Sequence, residues 1–410
     1  MPAERPDTPP LRGVRVVEVG AFMAAPFATM QLADLGADVV KVENPKGPDP
    51  VRAVGPFLEG HSSPYLRLNR NKRSLALDLK APGGARLLRR LLDGADVLVE
   101  NLRPGAMARL GLGYDDLAAS HPHLVYASAS GWGQDGPLAP LPGLDIMAQA
   151  RSGLMSITGP PGGEPAKVGV PVCDLVCGLY VALGVLAALR ARERTGRGQH
   201  VDVSLLEAGT SLAIWEAARY WVTGESGTPQ GSAHQSSAPY QALRTADGWL
   251  TVGAITPNTW RGLCEALGLP GLLADERYGT AHERHGLRAE LIPAIECVTR
   301  GRGTEDLVAA LDAAGVPCAP INTTAQVFTD PHLSGRGFFW DAEHPELGAV
   351  RQIGSPVRLS ATPARRGAAG PGLGEHTAEL LAGLGLDGAE VAELLARGVV
   401  AGPETTEGGG

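Results

Sequence analysis

Cysteine is scarce in this chain: there are five, at positions 173, 177, 264, 297 and 318 of 410 residues. Their number is odd and no two are spaced CxxC, which argues against a disulfide framework. The histidines include no HExxH, and Cys173 and Cys177 have no nearby His pair. The sequence therefore offers no metal site, and these two thiols are expected to pack as small apolar residues. An uninterrupted apolar span of about 20 residues is also missing. The strongest candidate, 175–189, contains Gly184 and soon meets Arg190, so no membrane-crossing helix is expected. The opening MPAERPDTPPLRG lacks the apolar core of a signal peptide, and a cytoplasmic location follows as an expectation. A net charge of −8 argues against a general nucleic-acid surface but leaves room for a local basic pocket that holds phosphates. What is present is an ordinary globular balance, 44% apolar and 20% charged, over a length sufficient for two domains.

The first third alternates strand and helix patterns. Residues 14–19 read as a strand, 26–35 as a short helix closed by Gly36, and 38–43 as a second strand, which implies a right-handed parallel crossover. The intervening turn, Val19-Gly-Ala-Phe-Met-Ala-Ala-Pro26, has one glycine where a dinucleotide turn would want three. No nicotinamide or flavin cofactor is expected. Further strands at 75–79, 96–100 and 124–130, with helices at 83–92 and 106–110, point to an α/β fold built on a parallel, Rossmann-like sheet. Ligands on such sheets bind beyond the carboxyl ends of the strands, which makes Asn101, Arg103 and Arg109 pocket candidates. Lys46 and Arg103 are suited to phosphates or carboxylates, although solvated charge is the commoner fate of such residues.

Residues 1–224 are expected to form the N-terminal part of a large domain. A smaller α/β domain follows at 225–330, with a strand at 249–253 and helices at 257–267, 283–298 and 304–314. Residues 331–400 return to the large domain, and 401–410 form a disordered tail. The start is Pro-rich and also expected to be disordered.

An acidic residue, Asp174, stands immediately before the apolar run 175–189, which is too long for a strand and reads as a helix buried nearly all round. Its cations, Arg190, Arg192 and Arg194, suit the carboxyl end of the helix dipole. Asp174 is expected at the N-cap, where a structural role would be ordinary. Residues 200–205 then alternate as a half-buried strand. The neighbouring Asp145 has two readings of equal weight, a pocket residue or a turn and cap residue.

The text around Asp174 reads Gly169-x-x-x-Cys-Asp174-x-x-x-Gly178, and Thr195-Gly-Arg-Gly-Gln-His-Val-Asp-Val-Ser-Leu205 follows it. With Val99-Glu-Asn-Leu-Arg-Pro-Gly105, Asn71-Lys-Arg-Ser74, Ser130-Gly-Trp-Gly-Gln-Asp-Gly-Pro137 and Gly315-Val-Pro-Cys-Ala-Pro-Ile-Asn322, these motifs resemble the family III CoA-transferases (the CaiB/BaiF family) over about residues 11 to 400. The resemblance implies that Asp174 is the catalytic carboxylate. It also implies contacts to coenzyme A from the turn Ala21, Phe22, Met23 and Ala24, from Lys46, Leu77, Asn101, Arg103 and Arg109, and from Asp145. Acyl-CoA and a free carboxylic acid would be substrates, with no permanently bound cofactor, and two chains would form an interlocked homodimer.

A carboxylate can attack a thioester because CoA thiolate is a competent leaving group. The reaction implied passes through an aspartyl anhydride and an aspartyl-CoA thioester, with water excluded and amides aimed at the oxyanion. The loop 224–237 is the candidate for both tasks, although it has only Gly224, Gly227 and Gly231 where the family often carries a run of glycines. Alpha-methylacyl-CoA racemases share the superfamily, but their acid-base histidine and glutamate would fall at Leu144 and Thr256, which do not titrate near neutral pH. A catalytically silent CoA-binding subunit is the third reading, and retention of Asp174 in its motif argues against it. Ser130 lacks the GxSxG context of a hydrolase. Leu144, Met147, Thr256 and residues 234–240 are the expected determinants of acid preference.

Overall fold

Valine-rich runs become a parallel sheet in the computed structural model, which describes residues 8–403. Its strands are β1 (Arg15–Val19), β2 (Asp38–Glu43), β3 (Lys72–Leu77), β4 (Val97–Glu100), β5 (Val125–Ser130) and β6 (His200–Ser204). Their spatial order is β3-β2-β1-β4-β5-β6, every neighbouring pair is parallel, and the short strand Val400–Ala401 adds antiparallel to β3. Ala401 is therefore part of the sheet and not of a disordered tail. Residues 1–7 and 404–410 of the two expected terminal segments lie outside the described residues. Strand order reverses between β1 and β4, and a crevice opens beyond the strand ends at such a switch point.

The sheet buries both faces, as a parallel sheet must. On one face Val17, Val19, Val40, Val42, Leu75 and Leu77 form a single cluster with Leu87, Leu88 and Leu92 of the helix Gly84–Leu92 and with Leu380 and Leu381. The alternate residues face the other way. Over that side lie α1 (Ala24–Asp34), which packs on β1 and β2, and a long helix, Val172–Thr195, which packs on α1, β5 and β6. Between them in sequence sits a helix missed by the sequence reading, Asp145–Arg151. We call it α2, and the long helix α3.

α3 runs 24 residues and ends on Gly196, whose φ of +69° suits glycine. It departs from expectation in two ways. Its outer face is open, with Leu179 49% and Leu183 60% exposed. Its most apolar 18-residue window has a mean hydropathy of 2.3, so by length and composition the helix is long and apolar enough to cross a membrane. The expected shortfall at Gly184 does not hold, because the helix runs through that glycine and begins at Val172, before the run 175–189; the core helix of a soluble protein meets the same criterion.

The chain divides into two compact units. The first takes residues up to Leu154, Val168–Ala218 and everything from Ser334 onward, including the antiparallel hairpin Phe339–His344 and Gly348–Ile353. The second consists of Met155–Lys167 and Arg219–Leu333, so a segment before α3 joins it as well as the stretch after 218. Its three-stranded antiparallel sheet, Cys318–Pro320, Trp249–Gly253 and Tyr240–Arg244, packs through Leu250 and Val252 onto Leu263, Leu291, Ile295, Leu307 and Leu311. Thr256 accepts from Thr259 N at the start of the helix Pro257–Leu267, which Gly268 closes. The single helix expected at 283–298 is two, Ala281–Gly286 and Arg288–Thr299.

One contact ties α3 to α1. A Cβ on Gly178 would lie 2.8 Å from Ala24 O and 3.1 Å from the Phe27 ring. Gly178→Ala is expected to force the two helices apart and to lower stability by about 1–3 kcal/mol, the usual cost of overpacking. Denaturant unfolding measures it, and an unchanged midpoint would contradict this packing.

Candidate active site

The turn after β1 is shaped by its neighbours. A Cβ on Gly20 would lie 2.9 Å from both Ala25 Cβ and Asn101 Oδ1, so the position admits no side chain. Asn101, just beyond β4, accepts from Ala21 N at 2.9 Å and donates to Ala21 O at 2.8 Å. Both ends of its amide thus grip one residue of the turn across the switch point. Phe22 has φ +60°, and its N–H donates to Asp49 Oδ1 at 3.1 Å. Met23 and Ala24 lead into α1.

At the strand ends a cavity of about 280 Å³ is lined by Ala21, Asp49, Leu77, Leu102 and Leu110, among others. Leu77 closes it from the end of β3. Arg103 and Arg109 are exposed neighbours of Leu102 and Leu110, with no ion pair among the described residues. Lys46 is exposed, its ammonium 3.9 Å from Asp78 Oδ2. Of the sequence candidates, Ala21 and Leu77 line this cavity. Asn101 and Phe22 do not, but they bond to its lining residues Ala21 and Asp49, Lys46 lies near the lining residue Asp78, and Arg103 and Arg109 are chain neighbours of Leu102 and Leu110.

Beneath this cavity lies a cluster of charges that the sequence reading missed. Glu18 on β1 pairs in register with Lys41 on β2, their side chains 2.7 Å apart and fully buried. Lys72 Nζ reaches Glu18 Oε2 at 2.8 Å, and Lys41 Nζ also lies 2.9 Å from Asp49 Oδ2. Burial alone would push the Glu18 carboxyl up, but Lys41 and Lys72 outweigh it and hold it near 2. Burial pulls Lys72 down to about 8 despite Glu18. The available signal was a charge at the inward position of each valine strand, Glu18 and Lys41. Glu100, at the end of β4, is raised to about 7 by burial, and its Oε2 accepts from Leu102 N at 2.8 Å.

Asp174 stands at the opening of α3. It is not the N-cap: that position belongs to Pro171, which has no capping side chain, and Asp174 is the third helical residue. The cap comes from α2, where Asp145 Oδ1 accepts from Cys173 N at 2.9 Å and from Asp174 N at 3.3 Å. Gln149, buried one turn further along α2, donates to Asp145 Oδ2 at 2.6 Å and accepts from Val168 N at 2.9 Å. The expected cap carboxylate was one residue type correctly read on the wrong residue. Relieved of capping, the half-buried Asp174 carboxyl is pushed up to about 7, by burial first and by the Asp145 charge second. One turn on, Gly178 abuts Ala24, so the start of α3 and the turn after β1 are packed together.

Leu144 and Met147 are exposed at the start of α2, while Thr256 in the second unit serves as a helix cap. Among the described residues no group of three His, Cys, Asp or Glu side chains is placed to hold a metal ion.

A carboxyl whose pKa rises on folding binds more protons in the native state, so it costs stability above its unfolded value and most of all above about 7. Asp174→Asn is accordingly expected to stabilise the protein at pH 8 by on the order of 2 kcal/mol, with the gain fading toward pH 4. Unfolding curves at the two pH values measure it, and an equal effect at both would contradict the raised value.

Sequence comparison adds relatives to this geometry. The model of CoA-transferase family III matches residues 11–377. The succinate–glutarate CoA-transferase of Agrobacterium fabrum is 39% identical, covering 92% of this chain and 96% of its own. Human succinyl-CoA:glutarate CoA-transferase is 38% identical over 97% of this chain and 91% of its own. The succinyl-CoA–D-citramalate CoA-transferase of Chloroflexus aurantiacus is 36% identical over 98% of this chain and 100% of its own. A crystal structure of a CaiB/BaiF family protein from Brucella suis superposes with a TM-score of 0.83 at 38% identity, covering 92% of this chain and 100% of that one.

Proposed function

Because this chain belongs to CoA-transferase family III, an enzyme class that moves CoA between an acyl-CoA and a carboxylic acid, we propose that Asp174 carries the transfer. The observation that supports this most is the carboxyl itself, half-buried at a helix opening, capping nothing, and raised to about 7. A carboxylate of that basicity is a better nucleophile than an ordinary one and is still substantially ionised at neutral pH.

The steps balance without an oxidant or a metal. An Asp174 oxygen attacks the thioester carbon of the donor, the C–S bond breaks, and CoA leaves as thiolate with a mixed anhydride on Asp174. The thiolate attacks the aspartyl carbonyl, releasing the donor acid as carboxylate and leaving an aspartyl-CoA thioester. The acceptor carboxylate then attacks that thioester, forming a second anhydride and freeing the thiolate. Attack of the thiolate on the acceptor's acyl carbon gives the new acyl-CoA and restores Asp174. No net proton moves.

The strand-end cavity is the proposed CoA site. Its apolar lining from Ala21 and Leu77 suits the uncharged parts of the cofactor-like substrate, and the exposed Lys46, Arg103 and Arg109 suit its phosphates. Asn101 acts there by holding Ala21, and Asp145 acts on Asp174, not on CoA. The relatives' names pair succinate or succinyl-CoA with glutarate or citramalate, which supports succinyl-CoA as donor and a small dicarboxylate as acceptor. Within the first unit, acid preference is assigned to the exposed Leu144 and Met147.

A homodimer is part of the proposal. The first unit exposes Leu179 and Leu183 on α3, together with Ile214 and Trp215. An apolar face of this kind on a folded unit marks an interface, and a second copy of the chain is the occupant implied by the family. A cytoplasmic location is proposed with it.

Exchange measured by mass spectrometry, with succinyl-CoA as donor and a panel of acids, is expected to yield new CoA esters with wild type and none with Asp174→Ala. Loss of the α proton of the thioester to solvent, without exchange, would instead favour the racemase reading. kcat/KM is expected to fall on the acid side with an apparent pKa near 7, because only ionised Asp174 attacks. Asp145→Asn keeps an acceptor oxygen for the two N–H groups but removes the like charge, so this limb moves to lower pH. An unmoved limb would contradict the coupling.

A further inference from the structure

The turn between β1 and α1 has its backbone polar groups occupied one after another. Gly20 O accepts from Lys41 Nζ at 2.8 Å, Ala21 N and O are held by Asn101, and Phe22 N donates to Asp49 Oδ1 at 3.1 Å. Three consecutive residues are thus gripped by side chains from β2, from the loop after β2 and from the loop after β4. At φ +60°, Phe22 adopts a left-handed conformation that costs an L residue with a Cβ. The residue is 53% exposed, so the ring is not enclosed in the core. The conformation is imposed from beneath.

Asp49 is the residue that imposes it. It is buried, it lines the strand-end cavity, and its Oδ1 accepts from Val51 N at 3.0 Å as well as from Phe22 N. Its other oxygen lies 2.9 Å from Lys41 Nζ, which Glu18 holds from the far side at 2.7 Å. Asp49 N in turn donates to Glu43, whose carboxylate receives Arg52. Three buried acids, Glu18, Glu43 and Asp49, therefore face three cations, Lys41, Arg52 and Lys72; Asp49 Oδ2 meets Lys41 as an ion pair without a hydrogen bond.

We propose that Asp49 is a positioning residue for acyl-CoA: its carboxylate, beside Lys41, locks Phe22 in the left-handed conformation and so fixes the preceding residues Gly20 and Ala21, which line the cavity against which CoA lies. This rests on the reading of the strand-end cavity as the CoA site.

The test is calorimetric titration of free CoA into the full-length protein, with KM for succinyl-CoA and KM for the acceptor acid measured separately. Asp49→Ala is expected to weaken CoA and raise the succinyl-CoA KM by about tenfold, the scale of one released backbone strain, while the acceptor KM stays within about twofold. Asp49→Asn, which keeps an oxygen for the Phe22 N–H but turns an amide NH2 toward Lys41, is expected to recover part of that loss. A second pair spares the core: Phe22→Val, β-branched and averse to positive φ, is expected to lose about five times more CoA affinity than Phe22→Gly. Wild-type affinity in Asp49→Ala overturns the proposal, and so do equal losses in the two Phe22 variants, which would assign the effect to the ring. Those variants carry the test if Asp49→Ala does not fold. A wild-type protein that fails to bind CoA overturns the reading of the cavity and the role of Asp49 with it.

Discussion

A single carboxylate oxygen, Asp145 Oδ1, receives the backbone N–H groups of Cys173 and Asp174. That pair of hydrogen bonds sets where α3 begins and frees the Asp174 side chain from capping its own helix. It also places a second negative group beside Asp174, which adds to burial in raising its pKa. Structure and reactivity thus share one cause. Asp145 receives two backbone amides at the start of α3, while Asp174 is left half-buried beside a like charge.

The two halves of the site are held by different physics. The start of α3 depends on a few hydrogen bonds from α2, with Gln149 stitching the approach through Val168. The turn after β1 sits instead on a buried, charge-balanced network, where leaving any one member unpaired would be costly. What joins the halves is a glycine, Gly178, which lets α3 approach the carbonyl of Ala24. The proposed nucleophile and the proposed binding turn are thereby both set on rigid elements, which would need little rearrangement to meet one substrate.

Much of this was legible in the sequence, because the elements concerned have strong local patterns. The valine alternation of β1 and β2 predicted strands within a residue of their observed limits, and Thr256-Pro257 with Gly268 marked both ends of a helix. Asp174 stood out because an acid preceded an apolar run. Its role as cap did not survive, since capping was supplied from α2, a short element whose sequence, DIMAQAR, has weak periodicity. Glu18, Lys41 and Asp49 were passed over for a related reason: their partners lie on neighbouring strands and loops, and only the sheet register brings them together. Asn101 was singled out by its place beyond β4, but that it would grip Ala21 with both ends of its amide depends on the switch-point geometry. The open face of α3 was hidden by composition, which records that a helix is apolar and not which side is covered.

Asp174 is proposed to take CoA covalently. Mixing the protein with succinyl-CoA in the absence of any acceptor, quenching in acid within a turnover, and mapping the adduct by peptide mass spectrometry addresses it directly. CoA is expected in thioester linkage on the peptide that contains Asp174, labile to hydroxylamine and absent from Asp174→Asn. Transfer that proceeds at full rate while the adduct is absent, or is found on another residue, would contradict it.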